Sequence, residues 1–225
     1  MFVGHLAVAL AAKRVEPRAP LGTLVAAAFA LDLIWPMLLL AGIEMVRIDP
    51  GNTAFTPLAF DYYPWSHSLS MAIVWAVAAG RVAAAVLKQA RPGLIIGLTV
   101  VSHWVLDFFM HRPDLPLWPG GPKAGLGLWN SIPLTLLVEG ALFAAGVALY
   151  LRATRARDAV GTRAFWALVL MTTGIWMSGP LSPPPPGATA VAVVGLALWL
   201  FPLWAAWIER HRDSGQPAAG RQGRP

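Results

Sequence analysis

Residues 93–110 read GLIIGLTVVSHWVLDFFM, an apolar run whose only ionisable side chains are His103 and Asp107. A bilayer core about 30 Å thick needs roughly 20 mainly apolar residues at about 1.5 Å rise each, so the run is read as a membrane-spanning helix. Working outward, similar stretches appear at 20–43, 68–87, 133–151, 165–181 and 188–208. The expected fold is therefore all-α, a polytopic bundle of about six spans. The opening run, 2–12, is too short to cross alone and is read as a half-buried or re-entrant half-helix. Lys13 and Arg14 follow this run, whereas a signal peptide carries its charge in front, so it is kept in the mature protein.

Composition supports a membrane class. Hydrophobic residues make up 57% of the 225 and charged residues 12%, about half the charge of an ordinary soluble domain. Cysteine is absent, which excludes disulfides, thiolate metal sites and cysteine nucleophiles and leaves nitrogen and oxygen as ligands. The net charge of +6 lies in short loops between spans, so it reads as a topology signal and not as a nucleic-acid surface. With Lys13, Arg14 and Arg18 inside, Lys88, Arg91, Arg152, Arg155, Arg157, Arg163 and the C-terminal arginines also fall inside. Arg47, Arg112 and Lys123 fall outside, and Arg81 lies within a span near its inner end. That asymmetry predicts the plasma membrane, the inner membrane of a bacterium, with the C-terminus cytoplasmic. The organisation expected is one membrane domain, 1–212, and a disordered cytoplasmic tail, 213–225. The outer segments 44–65 and 111–132 read as structured caps, with Tyr62, Tyr63, Trp65, Trp118 and Trp129 at headgroup level.

An ionisable side chain within a span costs roughly 2.5–3.5 kcal/mol on insertion scales and requires a partner or a purpose. Asp32 lies about 21 Å above Arg18, and His103 and Asp107 about 18 and 24 Å above Arg91, at 1.5 Å per residue. His67 and Asp61 approach the same level from outside, and His5 lies about 12 Å from Lys13. His103, Asp107 and His111, four apart, share one helix face. Histidine nitrogen with carboxylate oxygen suits zinc, with manganese or iron as alternatives, and such an ion would activate water for hydrolysis. Competing explanations are a hydrogen-bonded packing pair or a proton relay. Glu139, in the fourth span, reads as an outer ligand or general base, or else as a partner for Arg112 or Lys123. Asp114 reads as a turn cap. The glycine-rich segment 119–130 offers a weak anion cradle with Lys123.

The ordered set Gly4-His5, Asp32, Ser66-His67-Ser68 and His103-x-x-x-Asp107 resembles the YdjM-like family of LexA-regulated, membrane-bound, predicted metal-dependent hydrolases. It covers roughly the first half of the chain. The resemblance implies that His5, Asp32, His67, His103 and Asp107 hold metal. The same order is similar to the zinc ligands of bacterial zinc phospholipase C and P1-type nucleases, which hydrolyse phosphate esters. The chain departs from these patterns at Leu31-Asp32, at Tyr63-Pro64-Trp65 and at Thr135/Glu139. The leading expectation is a membrane-embedded, metal-dependent hydrolase of a phosphoester or lipid-derived substrate. Asp61, His111 and Glu139 would then be acid/base or outer groups, and Lys123 and Asn130 would orient substrate. The rivals are a metal-ion or proton transporter and a non-catalytic scaffold. The nearly apolar stretch 94–101 argues against a path through the membrane.

Overall fold

The computed structural model describes residues 1–214. The chain forms α1 (Val3–Val15), α2 (Leu21–Ala28) and α3 (Ala30–Leu40), then an antiparallel hairpin of β1 (Met45–Ile48) and β2 (Leu58–Tyr62). It continues through the single turn α4 (Pro64–His67), α5 (Leu69–Leu87) and α6 (Ala90–Met110) to a small ladder of β3 (Leu115–Pro116) and β4 (Lys123–Ala124). A 3-10 turn at Leu128–Asn130 precedes α7 (Ile132–Ala153). Then come β5 (Thr154–Ala156), α8 (Ala159–Ser178), α9 (Ala188–Leu196), α10 (Leu200–Arg210) and β6 (Arg212–Ser214), which pairs with β5.

Among the described residues, five segments are long and apolar enough to cross a membrane: α5, α6, α7, Ala159–Leu181 and Ala188–Arg210. The pair α2–α3, bent by 57° at Phe29, makes a sixth when taken together as one broken span. The protein is thus an all-α membrane bundle, as its hydropathy predicts. The fifth span starts six residues earlier than expected, because the Asp158 side chain accepts a hydrogen bond from the Gly161 amide at 2.8 Å and caps α8.

Lipid is as apolar as leucine, so helices in a membrane associate by close packing of small residues. A β-carbon added to Gly97 of α6 would lie 2.9 Å from the Ala76 carbonyl oxygen of α5, and one added to Gly146 of α7 would lie 2.6 Å from the Ala7 backbone of α1. Valines 74, 77, 82 and 86 of α5 face outward. Here the expectation for the N-terminus is corrected. At 13 residues α1 is too short to cross, yet it is buried on nearly every side, not half-buried. Apart from His5 and Lys13 its buried surface, with Val3, Leu6, Ala7, Ala9 and Leu10, is apolar, which suits a helix at the centre of a bundle.

The two ends differ. At one end Lys13 donates to the Pro17 and Ala19 carbonyls and pairs with Glu209, whose other oxygen accepts from the Leu21 amide. Arg91 pairs with Glu16 at 3.2 Å, Arg157 with Asp213 at 3.2 Å and His211 with Asp158 at 2.7 Å. Lys13, Arg91 and Arg157, assigned to one side from sequence, therefore share one end of the bundle. Asp213 and Ser214, expected in the disordered tail, belong to β6, and residues 215–225 lie outside the described residues. The opposite end carries the β1–β2 and β3–β4 caps. Tyr62, Trp65 and Trp118 are exposed there, but Tyr63 and Trp129 are buried and serve the cap's interior.

Candidate metal centre

Four separate segments place the expected ligands together just beneath the cap. His5 comes from α1, Asp32 from the first turn of α3, His67 from α4, and His103 and Asp107 from α6. The Nε2 atoms of His5 and His103 lie 3.2 Å from Asp107 Oδ1 and 3.1 Å from Asp107 Oδ2, respectively. His67 Nε2 lies 3.4 Å from Asp32 Oδ1 and 3.9 Å from Asp107 Oδ2, and His103 Nε2 lies 3.8 Å from Asp32 Oδ1. The His5 and His103 rings stack at 3.7 Å. Two triads result, His5/His103/Asp107 and Asp32/His67/His103, each with its ligand atoms within 4.8 Å of one another.

Local structure aims these groups. The break between α2 and α3 falls beside the Ala28 carbonyl, which lies 2.8 Å from His103 Nδ1 and accepts its proton. His103 then offers the Nε2 lone pair to the cluster. Pro64 starts α4, and Ser68 ends it in an extended conformation while capping α5 through the Met71 amide. That single turn holds His67 at the cluster.

The donor set fits a divalent ion. Two ligands bound at about 2.0–2.1 Å in a tetrahedral array stand about 3.3–3.5 Å apart, close to the 3.1–3.9 Å separations seen here. Both nitrogens of His5, Nε2 of His103 and Oε1 of Glu139 are buried without a hydrogen-bond partner. Such groups cost free energy unless something satisfies them, and a cation does so for imidazole lone pairs and carboxylate alike. Four of the five ligands are buried, whereas the Asp32 side chain is 25% exposed, which marks the open side.

That side faces a pocket of about 270 Å³. Asp32, His67, Asp107, His111 and Glu139 contribute its polar lining, and Trp35, Phe55, Phe60 and Trp129 its aromatic walls. No lysine or arginine lines it among the described residues. His111 Nδ1 lies 2.9 Å from Asp114 Oδ1, and the Tyr63 hydroxyl donates to the same oxygen at 3.2 Å. Burial, reinforced by Asp114, pushes the Tyr63 phenol above its usual range, so it remains a donor. With Nδ1 engaged, Nε2 is the His111 nitrogen available to the pocket. Glu139 is fully buried and accepts from the Phe2 amide at 3.1 Å. It is not the partner of Arg112, which pairs with Asp114.

Three expected residues do not join the site. Asp61 forms a two-pronged pair with Arg47 across the hairpin, at 2.6 and 3.0 Å, because β2 turns its side chain outward. Lys123 donates to the Asp61 carbonyl at 3.2 Å on the same exposed face, and Asn130 is exposed at the end of the 3-10 turn. The anion cradle fails too: amides of Gly121, Leu126, Gly127 and Asn130 are bonded to chain carbonyls. Sequence reasoning missed the Asp114 contact to His111, for which the i, i+3 spacing was a signal. It also missed Glu44, whose carboxylate accepts from the Trp65 and Ser66 amides at 2.8 Å and from the Ser66 hydroxyl at 2.6 Å.

The fold and site together define a helical membrane protein with a buried histidine–aspartate cluster able to hold a metal ion. Compared with known protein families, with curated proteins and with solved structures, the chain matches none.

Proposed function

We propose that the chain is a membrane-embedded hydrolase dependent on a divalent ion, zinc by its nitrogen and oxygen donors, that cleaves a phosphoester or lipid-derived substrate. The observation that carries this reading is the convergence of His5, Asp32, His67, His103 and Asp107, with buried imidazole nitrogens left unpartnered at their meeting point. A bound divalent ion would supply Lewis acidity to the scissile group and to water. The chain's own residues would do the rest. His111, held by Asp114 and Tyr63, would exchange a proton through Nε2, and the aromatic walls would exclude bulk water. Substrate charge would be met at the metal and the apolar remainder along Trp35, Phe60 and Trp129. The resemblance to the YdjM-like hydrolases points the same way. Segregation of the cations at one end supports a bacterial inner-membrane location with the C-terminus cytoplasmic. Transport is less well supported, since Leu6, Leu10, Leu24, Ile96 and Val100 fill the core between the cluster and the cationic end.

Elemental analysis of detergent-purified protein tests the reading. Stoichiometric metal in the wild type, lost in both Asp32→Ala and His103→Ala, is the expected result; folded wild-type protein without metal would refute it. His111→Gln is expected to keep the metal and to lower metal-dependent phosphodiester turnover by about 10²–10⁴-fold.

A further inference from the structure

Each histidine of the cluster is held differently. His103 Nδ1 bonds to a backbone carbonyl, whereas His5 Nδ1 has no hydrogen-bond partner. His67 Nδ1 instead lies 2.7 Å from the Ser66 hydroxyl, itself 2.6 Å from Glu44 Oε2. Ser66 has one proton to give, and its alternative acceptor, the Tyr63 carbonyl, is farther away at 3.4 Å. The proton therefore goes to Glu44, a carboxylate that can only accept. The Ser66 oxygen must then accept from His67 Nδ1–H, which leaves the lone pair on Nε2, the nitrogen facing Asp32 and Asp107. Glu44 cannot swing away, because Oε1 is fixed by the Trp65 and Ser66 amides at 2.8 Å. All three residues are buried.

We propose that Glu44 and Ser66 are positioning residues which, through a Glu44–Ser66–His67 relay, select the His67 tautomer that binds metal. This rests on the metal reading above. Outer partners of this kind orient a ligand and raise its basicity, and losing them typically costs about 10–100-fold in metal affinity. Glu44→Gln makes the sharpest test. Its amide oxygen would stay on the two backbone amides, which turns the NH₂ toward Ser66 and reverses the relay. Ser66 would then donate to Nδ1, and His67 would carry its proton on Nε2.

The test uses the full chain in detergent with Zn²⁺ as probe, measured by competition with a chelator. Glu44→Gln and Ser66→Ala are each expected to weaken Zn²⁺ binding about 10–100-fold, and neither is expected to weaken it further in a His67→Ala background. Imidazole ¹⁵N shifts of the metal-free protein should report Nδ1–H at His67 in the wild type and Nε2–H in Glu44→Gln. General loosening of the fold would weaken binding equally in both backgrounds and would overturn the relay. So would wild-type affinity in both variants. A wild type that binds no Zn²⁺ would instead overturn the metal reading itself.

Discussion

Replacing Gly146 by alanine probes whether the seating of α1 against α7 sets the metal geometry. The added β-carbon would lie 2.6 Å from both the Ala7 α-carbon and its carbonyl oxygen, atoms of a helix backbone that cannot rotate aside. Ordinary contact begins near 3.4 Å, so the two helices must part by about 0.8 Å. His5 lies two residues from Ala7 on the same helix, and its ring stacks on His103 at 3.7 Å. Metal–ligand distances tolerate deviations of only about 0.2 Å, so a displacement of that size should remove His5 from coordination. Overpacking of this kind costs about 1–3 kcal/mol. The expected result is a lower melting temperature together with at least a tenfold loss of Zn²⁺ affinity, read by calorimetry and chelator competition. Gly174→Ala is the control, because nothing lies within 4 Å of a β-carbon there. Wild-type metal affinity in Gly146→Ala, or equal damage from Gly174→Ala, would refute the reasoning.

Two further outcomes follow from the cap and the C-terminal clasp. Asp61→Asn removes an ion pair whose Arg47 partner is largely exposed and screened by solvent, and should leave metal content unchanged by elemental analysis; loss of bound metal would return Asp61 to the site. The hydrogen bond from His211, followed by the Gly161 amide, holds the Asp158 carboxyl below the usual carboxylate range. A carboxyl depressed in the folded state contributes stability above its unfolded pKa that is lost as pH falls through the folded value. Acidification below the usual carboxylate range should therefore loosen the β5–β6 clasp and speed amide exchange at Arg157, which donates to the His211 carbonyl at 2.9 Å. Exchange that stays flat after correction for intrinsic rates would contradict this.

The spans were legible because bilayer thickness leaves few ways to place long apolar runs, and rise per residue carried Asp32, His103 and Asp107 to a common level. His103 and Asp107 needed only helix spacing, one turn apart. The bend at Phe29 was not legible: no glycine or proline stands at the break, and Pro36 lies a full seven positions on. Asp61 was misplaced because depth says nothing of direction, and in a strand adjacent side chains face opposite ways. Glu44 escaped notice for a different reason. Its contact to Ser66 exists only once the β1–β2 hairpin closes the 22-residue separation between them.

The burial of α1 has a consequence for biogenesis. Its sockets are Gly146 on α7 and Glu209 on α10, both made long after α1 leaves the ribosome. This helix is thus seated only after α7 has emerged, and until then its apolar surface needs shelter from water, at the bilayer surface or on a chaperone. Truncation before α7 should leave that helix without its main socket, however well α5 and α6 insert.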